Sequence, residues 1–223
     1  MRHRPGRRRT TVKPSEKRLA HFQELVAYDR ALPGFGASLA GMDEAGRGPL
    51  VGNVVAACVI LPDQPLHEWI DDSKRLSPKR REEMYHCIME TALYVGVGEA
   101  SPEEIDRLNI LNATRLAMRR AAEHAPATLC VVDAVQGLDL PFPVQSVIRG
   151  DATSYHVAAA SIVAKVTRDR QMRDYALQYP EYGFDRNMGY GTAEHIAALR
   201  LHGPTPAHRR AFIRHFVGEE TAE

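Results

Sequence analysis

No run of apolar residues in this 223-residue chain approaches the roughly 20 needed to span a bilayer. The arginine-rich N-terminus lacks the apolar segment of a secretory signal. Cysteine is scarce: Cys58, Cys87 and Cys130 are an odd number, lie far apart and form no C-x-x-C pair. That argues against both a disulfide framework and a thiolate metal site. Cys58 and Cys130 sit inside the apolar runs "VVAACVIL" and "TLCVVDAV" and read as buried, reduced thiols. A reducing compartment follows, and the chain is read as cytoplasmic, with no membrane partner. No internal repeat appears.

What is present suits one sizeable α/β core. The apolar fraction of 44% and charged fraction of 26% are those of an ordinary soluble globular protein. The net charge of +1 hides an asymmetry. Residues 1–18 hold eight Lys/Arg and one acid, so they carry +7 and residues 19–223 carry 1 − 7 = −6. The simplest reading is a disordered, solubilising tail over 1–18 and a single domain over 19–223. The functional alternative is an arm that attracts nucleic-acid phosphates.

Along the chain, "HFQELVAYDRAL" has helical spacing and "PGFG" breaks it. "SLAGMD" and "VVAACVIL" read as paired strands separated by a glycine loop. Ser77 and Pro78 open a helix through "KRREEMYHCIMETA", and "LYVGVGEA" is a third strand. "SPEEIDRLNILNATRLAMRRAAEHA" reads as one helix opened by a capping box, Ser101 with Glu104. "ATLCVVDAV" and "FPVQSVIRG" are strands four and five. A long helix follows with Asp151 at its start, then two short helical pieces. The fold class is α/β: one mixed sheet flanked by helices, with a helical C-terminal extension.

The acids carry the chemistry. Asp43 ends the first strand, Asp133 ends the fourth, and Asp151 follows the fifth. Strand ends of an open α/β sheet converge on one edge, where sites are built. A carboxylate embedded in "LCVVDAV" must be paired, protonated or metal-bound. For Asp151 alone a helix cap is as good a reading as a ligand. Acids without histidine or cysteine select hard cations such as Mg²⁺ or Mn²⁺. Neighbouring side chains on a strand point to opposite faces, so Asp43 and Glu44 cannot both face an ion from a regular strand. Either the strand ends between them, or Glu44 acts through its carbonyl or a water. Arg47, between Gly46 and Gly48, is by itself a hairpin turn. Beside a carboxylate site it becomes a clamp for phosphate or sugar.

The chain resembles type 2 ribonuclease H (ribonuclease HII) from about Leu39 to Phe212. The stretches that carry the resemblance are "GMDEAGRGPLVGNVVAACVIL", "DDSKRLSPKRRE", "LNILNATRLAM", "VVDAV", "GDATSYHVAAASIVAKVTRDR" and "YPEYGFDRNMGYGTAEHIAALRLHGPTPAHRRAF". It implies a ribonuclease H-like fold. It also implies a metal-dependent endonuclease that hydrolyses the RNA strand of RNA–DNA hybrids and cuts 5′ of single ribonucleotides in duplex DNA. Two divalent ions, Mg²⁺ or Mn²⁺, and 5′-phosphate and 3′-hydroxyl ends go with that chemistry. The family's four acids fall on Asp43, Glu44, Asp133 and Asp151. Its glycine-arginine-glycine loop is Gly46, Arg47 and Gly48, and its substrate-contacting tyrosine is Tyr190. The related type 3 enzymes carry an N-terminal platform, for which the 38 residues before the first strand are too few. A monomer acting on RNA–DNA hybrid and ribonucleotide-containing DNA is expected.

The chain departs from the family where a basic residue commonly precedes "GY": here stand Asn187 and Met188, which weakens a phosphate contact at that point. Lys74 reads as a phosphate contact or a solvated loop lysine. Ser161 and Lys165 read as site supports or as ordinary packing and a solvated stem. His195, His202 and His208 read as surface or substrate-strand contacts. The competing readings are a non-catalytic nucleic-acid-binding protein and another metal-dependent nuclease of the same superfamily.

Overall fold

The computed structural model describes residues 14–217. Five strands form one sheet in the order β3-β2-β1-β4-β5. They are β1 (Leu39–Ala45), β2 (Val54–Ile60), β3 (Tyr94–Ala100), β4 (Leu129–Asp133) and β5 (Val144–Val147). β1 pairs antiparallel with β2 and parallel with β4, β2 with β3 is antiparallel, and β4 with β5 parallel. The mixed sheet expected from the sequence is therefore present, with β1 at its centre. All seven residues of β2 are buried, as a strand covered on both faces requires.

Helices cover both faces. α1 (Glu16–Arg30), α2 (Pro78–Thr91) and α5 (Tyr155–Gln178) lie on one side. There Leu25, Ile88, Ile162 and Val163 join Ala57 and Val59 in one apolar cluster. α3 (Pro102–Leu108) and α4 (Ile110–Ala122) lie on the other, where Met118 and Ala117 pack with Met42, Cys58 and Val132. Short helices α6 (Phe184–Asn187), α7 (Ala193–His202) and α8 (Arg210–Ile213) close the described chain around a third cluster of Leu50, Val51, Phe184 and Leu199. One glycine decides how closely α5 lies on β1. A Cβ on Gly41 would stand 2.2 Å from the His156 carbonyl carbon, so only glycine admits this contact.

Local signals account for most boundaries. Ser77 caps α2 with Pro78 at its first position, and Ser101 and Glu104 form the expected capping box. Two expectations need correction. The stretch 102–122 is two helices, because Asn109 adopts a left-handed φ of 65° and its side chain caps α4. Asp151 is not the cap of the long helix: it lies in a 3-10 turn, Gly150–Ala152, and Ser154 caps α5. Of the basic stretch 1–18, residues 1–13 lie outside the described residues, and Glu16–Arg18 form the first turn of α1.

Candidate active site

β1 and β4 run parallel with Met42 opposite Val132. Asp43 and Asp133 follow next in register, side by side at the C-terminal edge of the sheet. The Gly150 N–H donates to Asp133 Oδ1 at 2.7 Å, which ties the turn carrying Asp151 to the end of β4. Two non-glycine residues with left-handed backbone flank these acids: Ala134 (φ 43°) and Arg149 (φ 59°). Such strain is held only where surrounding structure fixes it, and it gathers at sites.

β1 does not end between Asp43 and Glu44; it pairs through Ala45, with Asp43 opposite Ala57 and Glu44 opposite Ala56. The longer Glu44 side chain still comes within electrostatic range of Asp133 and Lys74. Burial, above all, pushes the Asp43 carboxyl well above its usual 3.8. The charges of Glu44, Asp133 and Asp151 push it further, against a 2.8 Å hydrogen bond from the Glu44 N–H. Glu44 is raised chiefly by burial and opposed by Arg47, whose Nη1 is 3.2 Å from Glu44 Oε1. Asp151 is raised by burial and by Asp72, and opposed by Lys74, whose Nζ stands 3.4 Å from Asp151 Oδ2.

Among the described residues no three histidines, cysteines or acids stand together as a ready-made ion cage. The donor set nonetheless fits a hard divalent cation. The charges of Glu44, Asp133 and Asp151 all reach Asp43 with no imidazole or thiolate in that set, Glu44 Oε2 is buried with no hydrogen-bond partner among the described residues, and a lysine ammonium sits against Asp151.

The glycine-arginine-glycine loop follows directly. Gly46 has φ +92°, and a Cβ there would stand 2.6 Å from Arg168 Nε and 2.9 Å from the Asn53 carbonyl oxygen. Tyr190 arrives from the far end of the chain, half exposed, with its ring beside Gly48. A Cβ on Gly48 would lie 3.5 Å from Tyr190 Cε1. Acids, loop and tyrosine, separated by up to 147 residues in sequence (190 − 43), meet at one edge of the sheet. A family model described as Ribonuclease HII matches residues 40–216.

The chain belongs to the ribonuclease HII family. Curated relatives include Ribonuclease HII of Geobacillus kaustophilus (strain HTA426), 50% identical over 194 residues, covering 86% of this chain and 74% of that protein. Ribonuclease HII of Paramagnetospirillum magneticum (strain ATCC 700264 / AMB-1) is 53% identical over 183 residues, covering 79% and 90%. Among solved structures, the ribonuclease H2 of Pyrococcus horikoshii OT3 superposes with a TM-score of 0.65 at 25% identity, covering 80% of this chain and 96% of that one. The chain is thus an endoribonuclease of the family that cleaves the RNA of RNA–DNA hybrids. Among the described residues no helix is long and apolar enough to cross a membrane.

The most informative residue that sequence reasoning missed is Arg209. Fully buried, its guanidinium donates to four backbone carbonyls of the loop region. These are Gly46 at 2.5 Å, Arg47 at 3.0 Å, Pro49 at 2.7 Å and Gly52 at 2.9 Å. Arg168 sits beside it, donating to the Val51 carbonyl at 2.6 Å. Burial lowers both, Arg209 to about 9 with Arg168's charge adding, and Arg168 to about 10. "HRRAF" lies inside the family resemblance, but one of two adjacent arginines in a polar stretch gives no periodic signal of burial.

The other candidates divide. Ser161 is buried and donates to Ser73 Oγ at 2.7 Å, beside Lys74; Lys165 pairs with Asp169 and not with the site acids. His202 is exposed, as expected, but His195 and His208 are not surface residues: both are buried. Asn187 turns inward, donating to the Tyr182 carbonyl at 2.7 Å and accepting from the Gly189 N–H at 2.8 Å. These two contacts brace the turn that precedes Tyr190.

Proposed function

We propose that this endoribonuclease also cuts 5′ of single ribonucleotides embedded in duplex DNA, leaving 5′-phosphate and 3′-hydroxyl ends. Asp43, Glu44, Asp133 and Asp151 are the residues that would hold two divalent cations, Mg²⁺ or Mn²⁺. Bound there, such ions supply an activated water and charge stabilisation for the leaving oxygen. The acids bind and orient; none serves as a covalent nucleophile.

The observation that carries the reading is the Tyr190 ring lying against Gly48, next to the acidic edge. The 2′-hydroxyl is what distinguishes a ribonucleotide from its DNA neighbours. A glycine loop lets backbone groups approach the sugar closely, and Arg47, with a half-exposed side chain, can meet the phosphate. Tyr190 offers a flat, half-exposed ring to pack on the adjoining sugar.

The deciding assay uses a DNA duplex carrying one ribonucleotide, run beside an all-DNA duplex with Mg²⁺ or Mn²⁺ supplied. A single cut 5′ of the ribonucleotide, absent from the control, is expected. Failure to cut it, or equal cutting of both duplexes, overturns the reading.

A further inference from the structure

His195 and His208 have no part in the chemistry assigned above, yet both imidazoles are buried and their Nε2 atoms are 3.1 Å apart. Two facing ring nitrogens can bond only if one carries the hydrogen and the other does not. The outer nitrogens decide which. The Thr205 N–H donates to His208 Nδ1 at 3.0 Å, with the Thr205 hydroxyl also 2.9 Å away. His208 Nδ1 is therefore an acceptor, and its proton sits on Nε2. That proton points at His195 Nε2, which leaves the His195 proton on Nδ1, 2.9 Å from the Tyr190 carbonyl oxygen. A one-way relay thus runs from Thr205 through two neutral rings to Tyr190.

The rings are boxed in. Phe184 meets His195 edge-on at 5.2 Å, and Tyr182 meets His208 at 5.2 Å. Burial lowers both histidines, His208 to about 4 with the His195 charge adding, which agrees with neutral rings near neutral pH. Tyr190 is otherwise held by local backbone bonds. Its N–H donates to the Asn187 carbonyl at 2.9 Å, and its carbonyl accepts the Thr192 N–H at 2.8 Å. Met188 (φ 51°) and Gly189 (φ 81°) precede it in left-handed backbone, a turn that needs support from outside itself.

We infer that His195, seated by His208, is a positioning residue for Tyr190. Its Nδ1–H fixes the Tyr190 carbonyl, and with it the angle at which the ring meets Gly48 and the sugar at the cut. The inference rests on Tyr190 contacting the ribose, as proposed above. His195 touches no reacting group and acts only through Tyr190.

Two substitutions separate this role from plain packing. Asparagine can place an amide N–H near the Nδ1 position, whereas glutamine reaches toward Nε2. Cleavage of the single-ribonucleotide duplex is measured for His195→Asn and His195→Gln, alone and in a Tyr190→Ala background, with a thermal melt of each. His195→Gln is expected to lose on the order of 10–100-fold in kcat/KM, the scale of a displacement near 1 Å. His195→Asn should stay within about threefold of wild type. In the Tyr190→Ala background His195→Gln should cost less than about twofold, because residues acting through one another are non-additive. Equal losses in the Asn and Gln variants, or a full further loss on top of Tyr190→Ala, overturn the inference. Nitrogen-15 NMR of the unsubstituted protein tests the same geometry without a mutant: Nδ1–H on His195 and Nε2–H on His208 are expected, and the reverse tautomers overturn it. A fully active Tyr190→Ala enzyme would instead remove the ribose reading itself; an impaired one with equal histidine variants removes only His195.

Discussion

The Arg209 guanidinium donates to the Gly46 carbonyl oxygen over 2.5 Å, across 163 positions of sequence. A cation fully buried against carbonyls, with no carboxylate hydrogen-bonded to it among the described residues, is costly unless hydrogen bonds replace its water. Arg209 spends its fork on the loop that bears Arg47. Lysine has a single ammonium and cannot reach four divergent carbonyls.

Arg209→Lys should therefore lower stability by about 3 kcal/mol or more, since each buried acceptor left unpaired costs about 1–3 kcal/mol. For a domain of this size the melting temperature should fall roughly 2–4 °C per kcal/mol. The folded fraction should also lose on the order of 10-fold in cleavage at a single ribonucleotide. A calorimetric melt beside the cleavage assay checks both; an unchanged melt would show that the four bonds contribute nothing net.

Asp43→Asn and Asp133→Asn should each abolish cleavage and leave duplex binding largely intact, because affinity comes from phosphate contacts. Stability of the ion-free protein should move the other way for Asp43. Its folded-state pKa is raised, so its contribution is favourable below the usual 3.8 and is lost as pH rises through the folded value. In chelator at pH 7, Asp43→Asn should melt above the unsubstituted protein, and the gap should shrink toward pH 4. Near-normal turnover by either mutant, or a lower melt for Asp43→Asn in chelator, contradicts this assignment.

Tyr190 is half exposed, beside Gly48 and not in the core. Tyr190→Ala should leave the melting temperature within about 2 °C of wild type, far from the several kcal/mol that a buried aromatic costs on truncation. Activity on a single embedded ribonucleotide should nonetheless fall by about 100-fold. Tyr190→Phe keeps the ring and should retain much of the activity. A destabilised Ala mutant that cleaves normally when folded would take Tyr190 out of the site.

Residues 1–13 hold six Lys/Arg and no acid, and end before Ser15, whose hydroxyl accepts the Arg18 N–H to cap α1. Deleting them should flatten the salt dependence of duplex binding without moving the cleavage position, because phosphate contacts position and do not specify. Binding titrations at several salt concentrations check the slope; identical slopes would make the segment a bystander.

Local chemistry and short-range pattern were enough to read much of this protein from its residues. Apolar β-branched runs marked the five strands, Ser77 and the Ser101–Glu104 box marked helix starts, and acids at strand ends marked Asp43 and Asp133 as a pair. These signals act within a few residues of themselves, so they survive in the sequence. The break at Asn109 did not survive that reading, because one left-handed residue leaves the apolar spacing of α3 and α4 undisturbed. Nor did the burial of His195, His208 and Arg209. Polar side chains are solvated by default, and each becomes a good interior residue only when folding brings its partner: a carbonyl of Gly46, a second imidazole, the backbone of Tyr190. Those partners lie 163, 13 and 5 positions away, and hydrogen-bond geometry between them exists only once the C-terminal helices have closed over the glycine loop.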